Sequence, residues 1–132
     1  MIVVDSSALI ALFEREDDAA LYAAALGAAS ELSISSVSVL ETGIVLRARR
    51  GGVAVQRLWA FLEIENDFDI VPFSASHARA ALAAFDRYGK GLNPRTRLNL
   101  GDCCAYALAA ALDAPLLYKG SDFRFTDIRS VL

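Results

Sequence analysis

Histidine occurs once in this chain, at His77, and cysteine only at the neighbouring positions Cys103 and Cys104. A single histidine excludes RNA cleavage by a paired-histidine acid and base, and it leaves Ser6 and Ser7 without an evident Ser-His-Asp set. Adjacent cysteines rarely suit a structural disulfide and offer no spaced zinc pair, so both are read as small core residues. Neither a G-x-G-x-x-G nor a Walker A run is present, which removes the usual nucleotide cofactors. Long apolar runs are missing too. Ala19–Ala29 and Cys103–Leu112 fall short of the ~18 residues a bilayer requires, and no membrane partner is expected. The start of the chain lacks a basic stretch and Asp5 splits its apolar residues, so no secretory signal is expected and the cytoplasm is the default compartment.

What is present describes an ordinary globular chain. With 132 residues, 55% hydrophobic and 22% charged, the sequence can bury one core without a disulfide or structural metal, and residues 1–132 are expected to form one domain. The net charge of −3 argues mildly against a nucleic-acid partner, but its distribution matters more than its sum. Most of the 13 basic residues lie in Arg47–Arg57 and Arg79–Arg97, where Asp86 is the only acid. A basic surface separate from an acidic one follows, unless these arginines only solvate helix faces and helix ends.

Along the chain, short β-branched runs alternate with helical spacing. Ile2–Val4 predicts a buried strand ending at Asp5, with Ser6 or Ser7 capping a helix over Ala8, Leu9, Leu12 and Phe13. Asp17 and Asp18 start a second, alanine-rich helix. Leu32–Ser35 predicts a second strand, followed by a helix from Ser36 that carries Glu41 in its second turn and stops at Gly51-Gly52. A further helix is expected over 53–65, a strand over 68–73, a helix from Ser74 or Ser76 to Tyr88, and a loop rich in glycine and cations over 89–97. The last helix starts near Asp102 with Cys104, Ala107, Leu108, Ala111 and Leu112 on one face. Leu116–Tyr118 predicts a fourth strand and Ile128–Leu132 a short fifth. Trp59 and the phenylalanines are read as core. The alternation implies an α/β fold: a mostly parallel sheet of four or five strands flanked by helices in three layers.

Four acids stand apart from the solvated acidic runs. Asp5, Glu41, Asp102 and Asp122 each interrupt apolar or small residues, where an ionised carboxylate is costly unless paired, hydrogen-bonded or bound to a metal. Asp5 and Asp122 follow predicted strands, Asp102 opens a helix, and Glu41 lies one to two turns into another. All four can meet beyond the carboxyl ends of the strands, where open parallel sheets place their sites. Converging carboxylates repel without a cation, and hard oxygen ligands select Mg²⁺ or Mn²⁺ over zinc. Hydrolysis of a phosphodiester is the chemistry such a site suits. Plainer readings exist: Asp102 as a helix cap, Asp122 as a turn residue, and His77 as structural or exposed.

Met1–Leu9, Ser38–Val45, Leu98–Cys103 and Lys119–Phe123 with Thr126-Asp127-Ile128 together resemble PIN-domain ribonucleases, more narrowly the VapC toxins of VapBC toxin–antitoxin modules. The resemblance spans nearly the whole chain. It implies a PIN-like fold, Mg²⁺- or Mn²⁺-dependent endoribonuclease activity on RNA such as tRNA or rRNA, a homodimer, and inhibition by a cognate VapB-type antitoxin. By the same resemblance Asp5 and Asp102 are the principal metal ligands, and Glu41 and Asp122 complete the site directly or through water. Ser6 is a supporting hydroxyl and Asp127 a supporting or structural acid. Position 121, often Asn in relatives, is Ser here. Arg47, Arg49, Arg50, Lys90, Arg95 and Arg97 are candidates for holding the RNA backbone. A receiver-like phosphoacceptor would need a second acid beside Asp5, where Ser-Ser-Ala stands. A housekeeping PIN nuclease in RNA processing and a non-catalytic PIN-like RNA-binding or regulatory protein are competing readings of the same residues.

Overall fold

The computed structural model describes all residues, Met1–Leu132. The elements run β1 (Ile2–Val4), α1 (Ser6–Phe13), α2 (Ala19–Ala28), β2 (Leu32–Ser35), α3 (Ser36–Arg50) and α4 (Gly52–Ala60), the last continuing into one π-helical turn, Phe61–Glu65. They continue as β3 (Asp69–Val71), α5 (Ala75–Tyr88), α6 (Leu100–Leu112) and β4 (Leu116–Leu117). All pairings are parallel, in the order β3-β2-β1-β4, with Ile2 opposite Leu32, Val3 opposite Leu116 and Ser35 opposite Val71. The chain therefore steps outward from β1 to β3 and then crosses back to place β4 on the other side of β1.

That reversal puts helices on both faces. Side chains alternate along a strand, so Ile2, Val4 and Leu117 join one core with Leu9, Leu26, Val39, Leu46, Leu58 and Leu62, while Val3 and Leu116 join the other with Ala81, Ala84, Leu98, Ala105 and Leu108. Burying each large aliphatic side chain contributes about 1.5–3 kcal/mol. Helices α1 to α4 cover the first face and α5 and α6 the second, giving the expected three layers. On the second face β2 presents Ser33 and Ser35, both buried, and α6 packs across β1 and β2. Small side chains there let the helix approach.

Several local expectations change. Asp5, not Ser6 or Ser7, caps α1, accepting from the Ser7 backbone N–H, and Ser74 caps α5. Helix α2 begins at Ala19, because Asp18 makes no cap bond and instead binds Lys119. The helix expected over 53–65 widens at Phe61, where Phe61 meets Phe13 and Phe68 while Leu62 stays in the core; the Asn66 side chain donates to the Phe61 carbonyl. Helix α6 has no single buried face. Cys103 to Ala109 are all buried between the sheet, α3 and α5, and its last turn, with Ala111 and Leu112, projects to the surface. The fifth strand reduces to a single bridge between Ser130 and Leu116. Trp59 is 45% exposed beside a groove between α3 and α4.

Candidate active site

Strand β1 has one neighbour reached through α1 and α2 and another reached only after the chain reverses, so β1 and β4 form the topological switch point where open α/β sheets open a crevice. Asp5 ends β1 there. It is 3% exposed, and its Oδ2 accepts from the Ser7 backbone N–H (3.0 Å) and the Ser7 hydroxyl (2.5 Å). The Ser7 hydroxyl in turn accepts from the Lys119 backbone N–H at 3.0 Å, tying the end of β1 to the end of β4. The other oxygen, Oδ1, is buried without any partner. Burial pushes the Asp5 carboxyl above its ordinary range, the Ser7 hydrogen bonds oppose this, and the charge of Asp122 adds to it.

Glu41 reaches the same place from α3. The Ser6 hydroxyl donates to its Oε1 at 3.5 Å. Its carboxylate lies directly against Gly101, where any Cβ would overlap it. Burial, then the charge of Asp5, raises its pKa. Asp102 stands in the first turn of α6, where it and Asn99 form a reciprocal capping box: Asn99 Oδ1 accepts from the Asp102 N–H (2.9 Å) and Asp102 Oδ2 from the Asn99 N–H (3.1 Å). The cap occupies one oxygen and leaves the other without a bond inside the chain, so capping and ligation are compatible. Burial first, then the charges of Asp5, Asp122 and Glu41, push Asp102 to about 7 against the opposing Asn99 hydrogen bond. Asp122 follows β4 after a turn in which Gly120 takes φ 101°, a conformation that favours glycine. It is exposed and makes no hydrogen bond of its own.

The four acids expected from the sequence therefore act on one another's charge, and none of them forms a salt bridge with Lys or Arg. As the side chains stand, no three of them are drawn together tightly enough to hold an ion. The donors fit a hard divalent cation by chemistry, all being carboxylate oxygens, and by Asp5 Oδ1, a buried acceptor left with nothing to bind. They do not form a closed cage.

The other sequence candidates are distributed unequally. Ser6 lies on Glu41. Asp127 binds Tyr106 and Arg87 and is not among the bonded neighbours of the four acids. Lys90, Arg95 and Arg97 are exposed, form no salt bridge, and lie on the segment that leads into α6 and Asp102. Arg50 is held by Glu14 at 2.9 Å. Arg47, Arg49 and Arg50 close the far end of α3, roughly 9–13 Å along the helix from Glu41 at 1.5 Å per residue. Sequence reasoning gives no site role to Ser7, Asn99, Gly101 or Lys119. Asn99 three residues before Asp102 is the one with a local signature, that of a capping box.

A family model described as "PIN domain" matches residues 2–128. The chain belongs to the PIN-domain family. Within it the sequence is 43% identical over 130 residues to Ribonuclease VapC28 of Mycobacterium tuberculosis, covering 98% of this chain and 97% of that protein. It is 41% identical over 129 residues to Ribonuclease VapC of Mycolicibacterium smegmatis, covering 98% of each. Among solved structures, M. tuberculosis VapC20, described as a sarcin-ricin loop cleaving toxin, superposes with a TM-score of 0.80 at 17% identity over 97% of this chain and 96% of that one. VapBC2 from Rickettsia felis, bound to a DNA fragment from its promoter, gives 0.70 at 19% identity over 98% and 97%. At these identities the structural likeness is one of fold.

Proposed function

We propose that this PIN-domain chain is a divalent-metal-dependent endoribonuclease of the VapC type, a toxin restrained by a VapB-type antitoxin. The observation that carries the reading is the set of carboxylates at the β1/β4 crevice, with no lysine or arginine to balance them and a buried Asp5 oxygen left unbonded. Mg²⁺ or Mn²⁺ bound there supplies the charge neutralisation and water activation that phosphodiester hydrolysis needs. Asp5 and Asp102 would be its principal ligands, each through the oxygen its cap leaves free, with Glu41 and Asp122 completing the site directly or through water. Ser7 holds the Asp5 carboxylate in one orientation, and Ser6 does the same for Glu41. Lys90, Arg95 and Arg97 hold RNA phosphates on the approach to α6. The products would carry a 5′-phosphate and a 3′-hydroxyl.

The toxin role is supported by relatives named VapC ribonucleases that match over nearly their whole length. A homodimer and an antitoxin contact are parts of the same proposal, and exposed Leu40 and Ile44 on α3 beside Trp59 supply apolar surface of the kind such contacts cover. Residues 1–132 are taken as one PIN domain, supported by the match over 2–128. No helix is long and apolar enough to cross a membrane, and the cytoplasm, where its RNA would be, is the proposed compartment. The deciding experiment compares wild type with Asp5→Asn on tRNA and other structured RNA, with Mg²⁺, with Mn²⁺ and with EDTA, and maps the product ends. Cleavage that needs both metal and Asp5 and leaves 5′-phosphates is the expected result. Equal cleavage by the variant, or cleavage in EDTA, would reject the site.

A further inference from the structure

Asp122 is the one member of the acidic set that no regular element positions. It sits in the irregular segment between β4 and the chain's last bridge, it is exposed, and its side chain bonds to nothing. The local turns of that segment, Arg124 N–H to the Ser121 carbonyl (3.2 Å) and Thr126 N–H to the Phe123 carbonyl (3.1 Å), shape it but do not attach it to the body. Two attachments do. Phe123 is buried against Tyr118, with ring centres 5.0 Å apart. On the far side, Asp127 Oδ1 accepts from the Tyr106 hydroxyl of α6 at 2.5 Å and Oδ2 from Arg87 of α5 at 3.4 Å.

Arg87 is itself fixed. It donates to the Tyr88 hydroxyl at 2.7 Å and lies over the Tyr88 ring at 4.7 Å, and the Tyr88 and Tyr106 rings are 5.9 Å apart. Its backbone carbonyl accepts from the Asn93 side chain at 3.0 Å, so the cation-bearing segment before α6 hangs from the same residue. Both Asp127 oxygens are thus engaged, one of them by a cation, so this acid has neither the unbonded oxygen nor the charge imbalance that marks Asp5.

We propose that Asp127 is a positioning residue: clasped by Tyr106 and Arg87, it anchors the Gly120–Ile128 segment and thereby holds Asp122 beside the other three carboxylates. The proposal rests on the reading of those carboxylates as a metal site. Asp127 contributes through Asp122 and not by touching the ion. The clasp also joins the Asp122 segment to the segment that leads into α6, since both are tied to Arg87.

The test uses the full chain with Tyr106→Phe, which removes one hydroxyl and keeps the packed ring, and Asp127→Ala, each alone and combined with Asp122→Asn. In metal-free protein, amide exchange at Arg124, Thr126 and Ile128 should accelerate about tenfold or more in both clasp variants, while the sheet amides of Val3 and Asp5 stay unchanged. Mn²⁺ binding, followed by the loss of free-ion EPR signal, should weaken roughly tenfold in Asp127→Ala, the scale of losing an outer partner of a metal ligand. It should weaken no further when Asp122→Asn is already present. Unchanged exchange in the segment overturns the clasp. A full tenfold loss that persists in the Asp122→Asn background overturns the route through Asp122 and makes Asp127 act on the ion itself. If Asp5→Asn leaves Mn²⁺ binding intact, the metal-site reading fails instead, and the exchange data still decide whether the segment is held.

Discussion

The two ends of the sheet both carry acids and treat them in opposite ways. At the amino end Glu31, Asp67 and Asp69 are exposed, and water solvates their charge. At the carboxyl end Asp5 is buried, Glu41 and Asp102 are half-buried, no basic residue pairs with them, and burial is the largest cause of their raised pKa values. The first arrangement costs the fold almost nothing. The second sacrifices stability at a single place, and a cost tolerated in one crevice and nowhere else is the physical mark of a candidate functional site.

The strongest way to break this contrast is to neutralise one acid at each end. Asp5→Asn keeps a good helix cap, since Asn caps as well as Asp, and removes the buried charge. Cleavage should fall roughly a thousandfold, the equivalent of several kcal/mol of lost charge stabilisation, while the melting temperature at pH 8 rises. Asp69→Asn at the other end should leave cleavage unchanged and stability within about 0.5 kcal/mol. A loss of melting temperature in Asp5→Asn, measured by calorimetry, would mean the buried carboxylate stabilises the fold, and the contrast would collapse.

A second pair probes crowding with the same substitution in two settings. Gly101→Ala places a methyl group into the Glu41 carboxylate, whereas Gly27→Ala on α2 meets nothing within 4 Å. Gly101→Ala should cost about 1–3 kcal/mol as overpacking and lower cleavage by displacing Glu41. Gly27→Ala should gain about 0.5–1 kcal/mol from helix propensity. Denaturant midpoints and single-turnover rates read both.

The contrast sharpens with pH. An acid whose folded pKa is raised holds its proton more tightly folded than unfolded, so stability falls as pH climbs from the unfolded value toward the folded one. For Asp102 that window runs from about 4 to about 7, the latter being its value in the folded chain. The metal-free melting temperature should therefore decline across that range and flatten above it. Mn²⁺ should restore it by several degrees at pH 8 and hardly at all at pH 5, and Asp102→Asn should flatten the slope.

The smallest effect concerns the two basic stretches. Reversing Arg95 and Arg97 to Glu should reduce the salt dependence of RNA binding by roughly 0.7 in slope for each single-strand phosphate that is no longer neutralised. Reversing Arg47 and Arg49 should leave the slope unchanged, because they lie at the far end of α3. Equal effects from both pairs would mean that RNA wraps around α3.

Much of the carboxyl end was legible because its features are local. A β-branched run ending in an acid places Asp5 after a strand, the apolar run Leu116–Tyr118 places Asp122 after another, and helical spacing places Glu41 and Asp102 on helices. The contacts that finish the site join distant parts of the chain. Nothing near Ser7 indicates that its hydroxyl meets the Lys119 N–H, and nothing near Gly101 indicates the Glu41 carboxylate. Helix α6 misled for a related reason. Its cysteines and alanines have no sided pattern because protein surrounds its middle, and periodicity reports a face only where solvent provides the other. The π turn at Phe61 likewise follows from where Phe13 and Phe68 lie, which no propensity encodes.

The placement of β4 beside β1 has a consequence for the order of synthesis. Strand β1 must wait for β4 before its second edge is paired, so one side of β1 stays open while α1 to α6 are made. Asp5 emerges before those helices and Asp122 after them, and the Lys119 N–H that steadies Asp5 through Ser7 arrives equally late. A nascent chain therefore holds an incomplete crevice until β4 and the turn after it have been made. The topology itself delays completion of the proposed site.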